Sequence, residues 1–98
     1  MTITKTQNGS NLEVALEGRL DTMTSPELET ELNKDLNDAD SLTLDFSKLD
    51  YISSAGLRVL LSTHKVMLPK GGMTIKNVNE IVREVFEVTG FSDILTIE

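Results

Sequence analysis

Two adjacent serines, Ser53 and Ser54, stand between an apolar run ending at Ile52 and a helical pattern that begins near Ala55. A serine in that place can attack a substrate, carry a phosphate, or cap the helix. Attack needs a base within hydrogen-bond reach, and the hydrolase elbow needs Gly-x-Ser-x-Gly around the serine. Ile52 stands two residues before Ser54, so the elbow is missing. The only histidine, His64, lies ten positions further along, about 15 Å away on a helix. It falls on that helix's apolar stripe and reads as a core or boundary residue. One histidine and no cysteine leave no transition-metal site. No Walker-type loop occurs, and Gly71-Gly72 reads as a turn rather than a phosphate cradle. Catalysis therefore has almost no foothold, and no cofactor is implied.

Capping and phosphate carriage remain. Serine is a preferred N-cap because its oxygen accepts a hydrogen bond from a free backbone N–H of the first turn. A hydroxyl there is also well placed for a phosphate, since the N–H groups and the helix dipole favour negative charge. Gly56, in the first turn, costs about 1 kcal/mol relative to alanine. Something is expected to approach the backbone closely there.

The elements that must position these serines follow from periodicity. Ile3–Lys5 reads as a short first strand, and Asn8-Gly9-Ser10-Asn11 as a turn. Leu12, Val14 and Leu16 then alternate with Glu13, Ala15 and Glu17, giving a hairpin strand that ends at Gly18. The first helix starts near Thr24-Ser25-Pro26-Glu27, with a hydroxyl cap and Leu28, Leu32 and Leu36 as its apolar stripe. Glu27, Glu31, Asp35 and Asp38 lie off that stripe as a solvated face. Leu42, Leu44 and Phe46 mark the clearest strand, and Leu49, Tyr51 and Ile52 carry it to the serines. Leu57, Leu60, Leu61, His64, Met67 and Leu68 recur at helical spacing until Pro69 and Gly71-Gly72.

Met73 and Ile75 mark another strand. Asn77 followed by Glu80 resembles a capping box for a third helix, which buries Ile81, Val82, Val85 and Phe86. Gly90 ends that helix, with Phe91 as its apolar contact, and Ile94, Leu95 and Ile97 close the chain as a short strand or docked tail. Met23, Met67 and Met73 read as packing groups. The order predicts an α/β domain over residues 1–98. It has a mixed central sheet of four to five strands, with helices packed against it. In a parallel sheet the strands' carboxyl ends meet helix amino termini, and the Ser53-Ser54 segment falls at such a place.

Composition narrows the partner. Sixteen acids and nine bases among 98 residues give a net charge of −7, and the bases are scattered from Lys5 to Arg83. Nucleic acid and anionic membrane surfaces are excluded as partners, while a basic protein face is favoured. No apolar run has signal-peptide or membrane-spanning length, and the simplest reading is a cytoplasmic protein.

Tyr51-Ile52-Ser53-Ser54-Ala55-Gly56-Leu57, with Gly18-Arg19-Leu20-Asp21 and Leu44-Asp45-Phe46, resembles a STAS domain of the bacterial anti-sigma factor antagonist type. The resemblance covers nearly the whole chain and implies a partner switch. The unmodified antagonist binds an anti-sigma factor that is itself a serine kinase, and so frees a sigma factor. Phosphorylation of a serine at the helix start ends the binding, and a PP2C-type phosphatase restores it.

Carried over by residue, the phosphorylated serine is Ser54, with Ser53 as a second candidate, and Asp21 is the acidic residue near the same surface. The partner-binding set is Asp21, Ser53, Ser54, Ala55, Gly56, Leu57 and Arg58, in a monomer or weak dimer. Three positions depart from the family's usual pattern. Ser53 stands where aspartate is usual, Ala55 replaces a second hydroxyl, and Arg58 takes a position often held by glycine. Two alternatives stay open. One is a non-phosphorylated STAS adaptor in a larger assembly; the other is a small-molecule or nucleotide sensor, supported by Gly56.

Overall fold

Strand alternation and turn chemistry place five strands side by side in chain order. They are β1 (Thr2–Asn8), β2 (Asn11–Leu20), β3 (Ser41–Ile52), β4 (Met73–Lys76) and β5 (Thr96–Ile97). The computed structural model describes residues 1–98. β1 runs antiparallel to β2 across a two-residue turn in which Gly9 takes a left-handed φ of 63°. Every later pair is parallel. The crossovers are α1 (Ser25–Asp35), α2 (Ser54–Met67) and α3 (Glu80–Thr89). Right-handed connections that all step the same way put all three helices on one face. Their buried residues join Leu12, Val14, Leu42, Leu44, Phe46 and Ile75 in a single core cluster of 22 buried residues.

The observed sheet is the expected mixed one, with five strands. β1 is longer than the Ile3–Lys5 segment, and β2 runs past Gly18 to Leu20. Gly18 does not end the strand. Its φ of 110° sits at one of two register shifts through which β3 gains residues on β2. Ala15 pairs with Asp45 but Glu17 with Lys48; Gly18 pairs with Leu49 but Arg19 with Tyr51. The slips break the period-two pattern after Phe46, so that Leu49 and Ile52 are buried while Tyr51 turns outward. They also bring Leu20 opposite Ile52.

Helix starts and faces differ from the periodic reading in several places. Thr24 is the N-cap of α1, but its hydroxyl makes no cap bond and donates instead to the Arg19 carbonyl. α3 is capped by Asn79, whose Oδ1 accepts from Val82 N at 2.8 Å, rather than by Asn77. Asn77 takes a left-handed φ of 61°. Ile81 is exposed, and on α2 Val59 and Thr63 are buried in place of Leu61, His64 and Leu68. The wider apolar arc made both stripes ambiguous by about one residue. Gly90 ends α3 with a left-handed φ of 82°.

Two lysines tie α1 to the rest. Lys70 Nζ donates to the carbonyls of Leu36 and Ala39 at 2.7 and 2.9 Å, satisfying acceptors past the helix end. Lys5, on β1's helix-facing side, bonds Glu31 Oε2 at 2.8 Å and Asp35 Oδ2 at 2.7 Å. Two acids expected on a free solvated face thus pin the edge strand to α1.

The Asp35 and Glu31 hydrogen bonds raise the Lys5 ammonium above its ordinary range, and the Lys5 and Lys34 bonds lower the Glu31 carboxyl. A depressed carboxyl adds stability above its unfolded pKa and loses it as pH falls through the folded value. A raised lysine adds stability below its unfolded pKa and loses it as pH climbs through the folded one. The melting advantage of the parent over Lys5→Met is therefore expected to be largest near neutrality. It should shrink as pH drops below about 4, read by thermal melts across pH. An advantage that is flat with pH would contradict the ion-pair account.

Candidate functional site

At the carboxyl end of the sheet, the Leu20–Ile52 pairing sets two helix starts beside each other. The Ser53 N–H donates to the Leu20 carbonyl at 2.9 Å, stitching the beginning of α2 to the end of β2. Ser53 has extended backbone angles and is the N-cap of α2, and its Oγ accepts from Gly56 N at a long 3.4 Å. Ser54 is the first helical residue, is exposed, and has no side-chain hydrogen bond. The two serines thus separate into a capping hydroxyl and a free one.

Gly56 explains why α2 comes so close. A Cβ on it would lie 2.8 Å from both Ile52 Cγ1 and Leu20 Cγ. The close approach anticipated from the sequence is therefore made by the chain's own core, not by a ligand. That removes the one feature favouring a sensor of small anions. Leu57 is also buried in the core. Of the expected partner-binding set, Gly56 and Leu57 support the surface from beneath and offer it nothing. Ala55 is half-buried, and Arg58 is exposed four residues beyond Ser54 on the same side of α2.

Asp21 shapes the neighbouring turn. Its Oδ1 accepts from the N–H groups of Met23 at 3.0 Å and Thr24 at 3.1 Å, while Thr24 Oγ1 accepts from Asp21 N at 2.9 Å. The bonds donated to the carboxylate, the Thr24 N–H first, then the Met23 N–H and the Thr24 hydroxyl at 3.3 Å, hold it below its ordinary range, helped by Arg19, whose Nε lies 3.8 Å from Oδ2. Asp21 is a member of the partner-binding set that the resemblance implies. Much of its charge is spent inside the loop.

Three features of this end were not legible from spacing. The Arg19 guanidinium lies 4.3 Å over the Tyr51 ring, an adjacency created by the second register shift. A shallow groove lined by Thr22, Pro26, Glu29, Ala55, Arg58 and Ser62 runs between α1 and α2. Met23, read as a packing group, is 85% exposed.

The first turn of α2 contains no acid, whereas those of α1 and α3 hold Glu27 and Glu80. The positive end of the α2 dipole therefore lacks an acidic side chain at Ser54. No group of three or more histidine or acidic side chains is placed to hold a metal ion. No helix is long and apolar enough to cross a membrane.

Comparison with known proteins sets this geometry in context. The family model described as STAS domain matches residues 2–98. BtrV of Bordetella bronchiseptica, described as an anti-sigma factor antagonist, is 34% identical over 99% of this chain and 85% of its own. The anti-sigma-B factor antagonist of Bacillus subtilis is 28% identical over 93% of this chain and 84% of its own. A crystal structure of an anti-sigma factor antagonist from Mycobacterium paratuberculosis superposes with a TM-score of 0.90. It covers 98% of this chain and 83% of that one at 22% identity, a likeness of fold.

The packing at residue 56 makes a direct prediction. Gly56→Ala gains up to about 1 kcal/mol of helix propensity but forces a methyl against two core side chains, which typically costs about 1–3 kcal/mol. A net loss is expected in chemical denaturation, and an unchanged or raised midpoint would contradict the close-packing account.

Proposed function

The chain belongs to the STAS domain family, and from that premise we propose that it is an anti-sigma factor antagonist switched by phosphorylation at Ser54. Unmodified, it binds an anti-sigma factor that is also a serine kinase, so that a sigma factor is released. Phosphorylated, it lets the anti-sigma factor go, and a PP2C-type phosphatase resets it. It works by binding and has no chemistry of its own.

One observation carries the choice of residue: Ser54 presents an exposed, unbonded hydroxyl at an acid-free helix start, while the Ser53 hydroxyl is engaged as the cap. A phosphate there adds about −1.5 to −2 charge. The backbone N–H groups and dipole of α2 accommodate it. The fold therefore survives modification. The complex does not, because the same charge pressed unpaired against a partner costs about 3–5 kcal/mol. Each 1.4 kcal/mol is about tenfold in affinity.

The partner-facing surface consists of Ser54, Ala55 and Arg58 with the Asp21–Thr24 turn and the groove between α1 and α2. Titrating the purified chain against the ATP-binding anti-sigma kinase of its host tests the reading. The parent is expected to bind, and Ser54→Asp to bind about a hundredfold more weakly at an unchanged melting temperature. Equal affinity of the two would overturn the switch.

A further inference from the structure

The geometry points to Met23 as an apolar anchor of this surface, seated in an apolar recess of the anti-sigma partner when the complex forms. The inference rests on the antagonist reading above and names a partner contact within it.

Met23 is the most exposed large apolar residue of the chain, at 85%, against 79% for Val88 and 65% for Leu68. Single exposed apolar side chains are ordinary on protein surfaces; the setting of this one is not. Its backbone is fixed by the Asp21 carboxylate, which accepts from Met23 N at 3.0 Å and Thr24 N at 3.1 Å. Thr24 Oγ1 in turn donates to the Arg19 carbonyl at 2.8 Å. The turn is then joined to α2 through Leu20, whose carbonyl takes the Ser53 N–H. A long apolar side chain is thus carried on a hydrogen-bonded turn that is tied to the start of α2. Val66 and Leu68 lie at the far end of α2, and Ile81 and Val88 on α3, with no such link.

Nothing in the fold needs a methionine there. The turn is made by Asp21 and Thr24, and the side chain adds almost nothing to the core. A polar or small residue would serve the turn better. Methionine is enriched at interface centres and conforms to irregular apolar recesses. A pre-set backbone lowers the ordering cost of docking it. Thr22, one residue earlier, lines the groove that also touches Ala55 and Arg58, so the groove runs from the turn that carries Met23 to the first turns of α2, the helix that Ser54 opens. The partner feature that fits is an apolar recess with a basic rim, facing Glu29 and a chain of net charge −7.

The test uses the full chain and the purified ATP-binding anti-sigma kinase of its host, with binding kinetics recorded for the parent, Ser54→Asp, Met23→Ala and Met23→Leu. Met23→Ala is expected to weaken binding at least about tenfold through faster dissociation, with the melting temperature unchanged. Met23→Leu should restore most of the affinity. Met23→Ala binding like the parent, while Ser54→Asp is weakened, would overturn the anchor and leave the antagonist reading intact. A parent that binds no such kinase would sink both.

Discussion

Residue 56 has no Cβ, and that absence lets α2 rest on Leu20 and Ile52 at the end of the sheet. The contact has to be read together with the two register shifts of β3 on β2, which make Leu20 and Ile52 neighbours in the first place. Together they decide where the chain turns from strand to helix. Ser53 must cap, because its N–H is already committed to Leu20 and its hydroxyl faces the first turn. Ser54 must then point outward. Its exposure follows from core packing two residues away, at the Gly56 contact with Leu20 and Ile52.

The same end of the sheet shows how polar groups divide between structure and surface. Asp21, Thr24 and Ser53 spend their oxygens on backbone N–H groups, whereas the Ser54 and Arg58 side chains are left exposed. A helix start carrying no acid tolerates a new phosphate without unfolding. Its partner, obliged to desolvate the same charge, does not. That asymmetry is what the proposed switch relies on, in a domain of 98 residues that has little room for a cleft. The uncovered sheet face, with Thr4, Thr43, Asp45, Thr74 and Lys76 around Ala15, is mostly polar.

Much of this was legible in the sequence, for reasons that can be named. Leu12, Val14 and Leu16, and likewise Leu42, Leu44 and Phe46, alternate cleanly because one face of the sheet is covered and the other is not. Leu28 and Leu32 mark α1, and Gly90 ends α3 through its left-handed backbone. The Ser53–Leu57 segment could be placed at a strand-to-helix junction from its neighbours alone. What escaped was anything that depends on register. A bulge shifts pairing without leaving a periodic trace, so neither the Arg19–Tyr51 stack nor the Leu20–Ile52 pair could be read from spacing. Gly56 signalled a close approach, but only the packed core shows that the approaching atoms are internal. Met23 looked like every other apolar residue until the turn around it was seen.

The central claim is that Ser54 is the residue through which the cell controls this protein. Peptide mapping by mass spectrometry of the chain isolated from its own host, growing and stressed, tests that most directly. The account predicts a phosphate on Ser54, absent from Ser53, whose occupancy changes with condition. Unmodified serines under every condition would contradict it, and would leave a STAS domain that binds its partners without this switch.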